Sequence, residues 1–330
     1  MLRQVVFGAL LTLALPPDPG FTLGPQGPPA SPPQRPPSDI PFSRLKPDAT
    51  LATALEPGAV ASTDAIWVPG RSAGTITRID AKDNTVSKAV AVGAQPCASL
   101  VIAFDSLWVP LCGDKTIARV DQKEQKVTAT PKVAVAAAEG RIASSVGSIW
   151  AITDRKGVLS RIDPDTGAPV AEIYVARGAA AVEAGKDALW ITSEDSGRLT
   201  RVNPHSNEVV EEITVGPKPV RLAVGEGGVW TLNGDGTVTR VDPETNKPVA
   251  TITLGGDTSK GDIAAGAGSV WVSTPGAPIV RIDPRTNRAA QRFTGEGGGA
   301  ILVAHGSLWV AAGPQATWRL DPRLVAAVRP

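Results

Sequence analysis

The sequence predicts an all-β fold, a seven-bladed β-propeller of four-stranded antiparallel blades. Two observations predict it. A tryptophan between strand-type residues recurs at Trp67, Trp108, Trp150, Trp190, Trp230, Trp271 and Trp309, with successive differences of 41, 42, 40, 40, 41 and 38. An Arg–apolar–Asp/Asn triplet then starts ten or eleven residues after each tryptophan, at Arg78, Arg119, Arg161, Arg201, Arg240, Arg281 and Arg319. A period near forty with strand chemistry means propeller blades, and seven copies mean seven blades. Fold alone leaves the activity open.

Arg3 supplies a positive charge ahead of an apolar or small run over residues 5–15. A membrane-crossing helix needs roughly 20 apolar residues, so residues 1–15 read as a signal peptide or apolar export segment. The alternative is an apolar N-terminus in a cytosolic protein. The run leaves the cleavage point open, and no cysteine lies near it to carry a lipid. Residues 16–48 hold ten prolines between Pro16 and Pro37, which favours an extended, solvated linker. The propeller is expected over residues 49–330. Residues 49–55 (ATLATAL) resemble an outermost strand placed before the first repeat, whereas the seventh copy stops soon after Asp321. The N-terminal strand is therefore expected to complete the seventh blade beside residues 316–321. Residues 324–328 (LVAAV) compete for that slot but lack the usual turn length.

The fifth repeat shows how one blade is written. Residues 219–225 (PVRLAVG), 228–232 (GVWTL), 237–242 (TVTRVD) and 248–254 (PVATITL) alternate in strand fashion, separated by EG, NGDG and PETN turns. We call these strands A to D from first to last. The tryptophan of strand B is expected to pack between blades. Arg and Asp of the triplet, two residues apart, share a sheet face and are expected to pair. The Asp also suits a cap on the C–D turn.

Cys97 and Cys112 are the chain's two cysteines, and both fall in the second repeat. A two-residue turn at Phe104–Asp105 would place them opposite each other across the A–B hairpin. Cross-strand Cβ atoms lie roughly 4.5–5.5 Å apart, so a disulfide is expected, in keeping with an exported protein.

The repeat core and the R-[IVL]-[DN]-P-x-T-N/G turn, seen in LWVPLCGDKTIARVD (residues 107–121) and in residues 228–253, resemble the YVTN-type repeat proteins. That resemblance covers about residues 49–321 and implies an exported seven-bladed propeller. The chain is more distantly similar to the virginiamycin B lyase family. This likeness implies a metal-dependent lyase with histidine and carboxylates on one face of the ring. The chain departs from that pattern. Its histidines, His205 and His305, fall in a C–D turn and an A–B turn, at the end of the ring opposite the usual ligand face.

No Ser-His-Asp or Cys-His set stands out, and no His/Cys/carboxylate cluster has metal-ligand spacing, so neither catalytic residues nor a cofactor is expected. Lys plus Arg is 33 and Asp plus Glu is 32, which argues against duplex nucleic acid as a partner. Strand A carries the sharper signal. Arg141, Arg221 and Asp262 stand nine residues before their tryptophans, and Glu183 stands seven before Trp190. These charges interrupt strand A in some blades only, near the upper mouth of the channel. Two arginines there suit a carboxylate or phosphate; the alternative is a ring of Arg–carboxylate pairs that merely solvates the channel. The upper loops add Asp114, Lys115, Asp154 to Lys156, Glu194, Asp195, Lys218 and Lys260, and residues 233–236 (NGDG) fit either a cation loop or an ordinary turn. The expected function is an exported, periplasmic or secreted, monomeric, non-enzymatic propeller that binds a small anionic ligand or a protein partner on its upper face. The alternatives are a metal-dependent lyase or hydrolase and a cell-envelope scaffold.

Overall fold

The computed structural model describes residues 37–131, 133–135 and 141–329. The expected export segment and the first part of the expected linker lie outside the described residues. Seven sheets form in chain order, each with four strands of repeat register, and one carries a fifth strand. The first-of-blade strands are Val60–Ala61, Val101–Ala103, Ile142–Ser145, Ala179–Ala184, Pro219–Gly225, Asp262–Gly266 and Ile301–Ala304. Each of the first six packs against the corresponding strand of the next blade, so together they line the centre.

The repeat spacing acts through register. In all seven blades the tryptophan of strand B pairs directly with the triplet arginine of strand C, as in Trp67↔Arg78 and Trp309↔Arg319. The seven tryptophans are the largest fully buried side chains. Each wedges against the following blade: Trp230 meets Val270 and Val272, and Trp309 returns to Ile66 and Val68 of the first blade. Burying such a ring stabilises each seam by several kcal/mol, about 3–5 by the cost of truncating it to Ala.

The triplet pairing differs from expectation. Only Arg78 bonds its own triplet carboxylate, Asp80, at 3.2 Å among the described residues. In five other blades the guanidinium lies 4.9–5.4 Å from the centre of its tryptophan ring. It then reaches the C–D turn of the next blade, as in Arg201 to the Pro243 carbonyl at 2.9 Å and Asn246 Oδ1 at 2.7 Å. The triplet Asp instead caps its own turn. Asp242 Oδ1 accepts from the Glu244 and Thr245 amides at 2.8 and 3.3 Å. These backbone donors hold the Asp242 carboxyl below the usual carboxylate range.

Ring closure comes from the N-terminal side. Ala49–Leu51 pairs antiparallel with Ala316–Leu320 in the register Ala49↔Arg319, Thr50↔Trp318, Leu51↔Thr317. The competing C-terminal segment is instead the helix Pro322–Ala327. Asp321 caps it by accepting from the Arg323 amide at 2.8 Å, and Pro322 fits its first turn. The expected linker also ends earlier than its proline content suggested. Asp39–Pro41 adds as a parallel fifth strand beside Arg288–Thr294. Ile40, Phe42 and Leu45 are buried, and Phe42 stacks on Trp318 with ring centroids 4.5 Å apart. Apolar residues between the prolines find a groove that local composition could not reveal.

The Cys97–Cys112 disulfide is present, with Cα atoms 5.2 Å apart. Its register is not the simple continuation of the hairpin. Val101 pairs with Trp108 and Ala103 with Ser106, but beyond that the ladder slips. Pro96 pairs with Leu111, and the Cys97 amide donates to the Pro110 carbonyl at 2.8 Å. The cysteines therefore bridge diagonally across an irregular hairpin end.

Candidate functional site

Strand A determines what faces the centre. Asp262 pairs with Ser273 and Arg221 with Leu232, and the Arg141 carbonyl accepts from the Ile152 amide at 3.0 Å. All three partners lie two residues beyond a tryptophan, so the three charges share one layer of the ring. Glu183 pairs with Trp190, two residues deeper. All four side chains line one central cavity of about 200 Å³, walled otherwise by groups such as Ala181, Leu222 and Val303. Gly58 holds the first-blade position of the same layer. At φ +83° a Cβ there would lie 2.3 Å from the Ala98 backbone, so no side chain fills that side.

The electrostatics are coupled. Arg141 and Asp262 are buried, Arg221 is half-buried, and Glu183 opens onto the channel. Glu183 is solvent-accessible along the channel, yet it sits deep within the ring with cavity walls around it. That enclosure pushes its carboxyl up to about 7, against the attraction of Arg141 and with added repulsion from Asp262. Burial also raises Asp262, opposed by Arg221, by Arg141 and by amides including that of Ile301, which donates to Oδ2 at 3.3 Å. The Arg221 guanidinium donates to the Val220 carbonyl at 3.0 Å. Such a set can orient a small charged group within apolar walls.

The other sequence candidates separate from this cavity. Asn233 of the NGDG loop is fully buried, and its amide donates to Thr237 Oγ1 and Thr239 Oγ1 at 2.9 and 3.0 Å. Asp235 accepts from Thr237. The loop thus has the internal bonding of a structural turn. On the upper loops Arg155 pairs with Glu194 at 3.2 Å, and Asp114 accepts from the Ala94 amide at 2.7 Å. His205 sits exposed in its C–D turn, and His305 Nε2 lies 3.5 Å from the Ala65 carbonyl in a lower seam. Among the described residues no group of three or more His, Cys, Asp or Glu is placed to hold a metal ion. No described helix is long and apolar enough to cross a membrane.

No protein-family model matches the chain, and no curated protein sequence matches it. Solved structures do. The chain is similar to a catalytically inactive histidine variant of virginiamycin B lyase from Staphylococcus aureus with quinupristin. The TM-score is 0.67 at 18% identity, over 81% of this chain and 95% of that one. A streptogramin B lyase gives a TM-score of 0.65 at 18% identity, over 81% and 93%. BamB from Moraxella catarrhalis gives 0.59 at 13% identity, over 82% and 85%. Identities this low establish the propeller fold alone.

Proposed function

We propose that the protein is an exported, non-enzymatic propeller that binds a small mono- or dicarboxylate in the central cavity. Arg141 and Arg221 hold the anionic group, while Glu183 and Asp262 set the charge balance. One observation carries this reading: charges from four different blades face a single cavity of about 200 Å³ with largely apolar walls. When Glu183 is protonated, two guanidinium groups face one remaining carboxylate, which favours an anion. Paired carboxylates near the mouth disfavour a polyanion. The disulfide and the apolar N-terminal run support export. The YVTN-type assignment rests on the repeat residues.

The lyase reading draws support from the fold of the similar structures. This chain's two histidines, however, stand in lower turns rather than at the cavity. A carboxylate panel scored by thermal shift tests the binding reading, because a ligand of the native state raises apparent stability. Replacing Arg141 and Arg221 together by Gln should abolish the shift while circular dichroism stays unchanged. A shift as large in the double variant as in the parent overturns the assignment, and so does the absence of any ligand across the panel.

A further inference from the structure

The central cavity has two unlike halves. Blades three to six bring Arg141, Glu183, Arg221 and Asp262 to one side. Blades seven and one line the other side with groups such as Leu302, Val303, Gly58 and Ala59, none of which carries a polar side chain. In the layer of the two arginines those blades hold only Ala300 and Gly58, each nine residues before its tryptophan. The volume is about 200 Å³. A water molecule's share of the liquid is roughly 30 Å³, so the cavity admits small molecules only.

On the charged side the signs are balanced and held apart. Two guanidinium groups and two carboxylates cancel when both carboxylates are ionised. Glu183 and Asp262 each feel Arg141, and Asp262 also feels Arg221. The coupling acts through space: among the described residues neither carboxylate forms an ion-pair contact with either guanidinium. The two carboxylates differ in freedom. Asp262 is buried and accepts from the Ile301 amide at 3.3 Å, which ties it into the wall. Glu183 opens onto the channel from the fourth blade, between the two arginine-bearing blades and two residues deeper. Its own strand, Ala179–Ala184, and the paired Leu189–Ser193 carry no other titratable side chain. Arg141, Arg221 and Asp262 are therefore the charged groups that face it.

We propose, resting on the carboxylate reading of this cavity and narrowing it, that the ligand is a small apolar α-amino acid. Its carboxylate takes the Arg141 and Arg221 side, its ammonium lies against Glu183, and its side chain enters the apolar half beside Leu302, Val303 and Gly58. An α-amino acid carries both charges and its side chain on one carbon. It therefore matches a cavity with both signs on one side and an apolar wall on the other. A charge taken out of water is costly unless it is paired. A simple carboxylate adds a net negative charge, which this cavity offsets only by keeping Glu183 protonated. A zwitterion adds no net charge and partners both signs. A plain amine leaves the two guanidinium groups facing a cation. The ligand classes thus carry opposite proton linkage. An ammonium group favours ionised Glu183 and releases its proton, whereas a simple carboxylate favours the protonated form and takes a proton up.

The test is calorimetric titration of the full chain at pH 7 with three probes, each in buffers of different ionisation heat. The probes are leucine, 4-methylpentanoate (leucine without its ammonium) and 3-methylbutylamine (leucine without its carboxylate). Leucine should bind at least about tenfold more tightly than either fragment, the fold-change of one charge-assisted contact. Because the Glu183 carboxyl is pushed up to about 7, leucine should release up to about half a proton at that pH. 4-Methylpentanoate should take protons up. Glu183→Gln should weaken leucine about tenfold, silence the proton release and leave 4-methylpentanoate at least as tightly bound, which also shows the cavity intact. Leucine binding no better than 4-methylpentanoate, leucine binding without proton release, or an equal effect of Glu183→Gln on both overturns the amino-acid assignment and leaves the carboxylate reading standing. 3-Methylbutylamine binding as tightly as leucine, or no binding by any of the three probes or by the carboxylate panel, overturns both.

Discussion

Glu183 shows how much one position can carry. Its carboxyl is pushed up to about 7 by burial within the ring, above the 4.5 of an unperturbed glutamate. The native state therefore holds this proton more tightly than the unfolded chain does. By linkage, stability falls as pH rises from about 4.5 to about 7, because the proton must leave a site that disfavours the charge. Glu183→Gln should flatten this part of a melting-temperature profile, and an unchanged slope would mean that other groups dominate. Carboxylate binding in the cavity should strengthen as pH falls from 8 to 6, and Glu183→Gln should remove most of that dependence; calorimetry at several pH values checks this. The strand A charges were legible in the sequence because they break a repeat otherwise built of small and apolar residues. Gln122 and Gln125 carry the same kind of signal at the first lower seam. It becomes readable only once the structure shows that the triplet arginine serves the neighbouring blade rather than its own aspartate.

At the scale of elements, the N-terminal approach to the ring does more than a linker. Ile40, Phe42 and Leu45 are buried, and Arg292 pairs with Asp39 at 3.0 Å. Deleting residues 1–36 should leave urea unfolding unchanged. Deleting residues 1–46 should cost about 1.5–3 kcal/mol for each of the three lost side chains. Deleting residues 1–56 also removes Ala49–Leu51 from the seventh blade and should abolish cooperative unfolding. Equal midpoints for all three truncations would refute both the closure strand and the extra strand as stabilising elements. The slipped hairpin that carries Cys97–Cys112 was invisible to simple register counting. The slip spans residues 97–100, where Cys97, Ala98 and Leu100 turn into buried positions, and burial outweighs ladder continuity there.

For the whole molecule, the seams decide stability. Arg319 closes the ring onto Ala81 and Asn84 while lying 5.1 Å from the Trp309 centroid. Arg319→Ala should cost about 2–4 kcal/mol from its charge-assisted bonds and its stacking. Arg78→Ala touches only carboxylates of its own blade and should cost about 1 kcal/mol or less. Equal losses in denaturant midpoints would show that the inter-blade clasp has no special weight. The difference follows from geometry: one arginine links the last blade to the first, and the other links a turn to its own strand.

The sequence by itself determined the blade count, the strand order within each blade, the disulfide pair and the four charges at the centre. Each of these is written in local spacing: a period near forty, a two-residue alternation, or a residue that breaks the pattern at a fixed offset from a tryptophan. Only the tertiary structure decided what lies across a seam. The route of the triplet arginines, the fifth strand on the sixth blade and the helical fate of Pro322–Ala327 all depend on partners far away in the chain. Arg319 and Asn84 are separated by 235 residues yet share a hydrogen bond. No local pattern encodes that contact, because it exists only after the ring has closed and brought the last blade against the first.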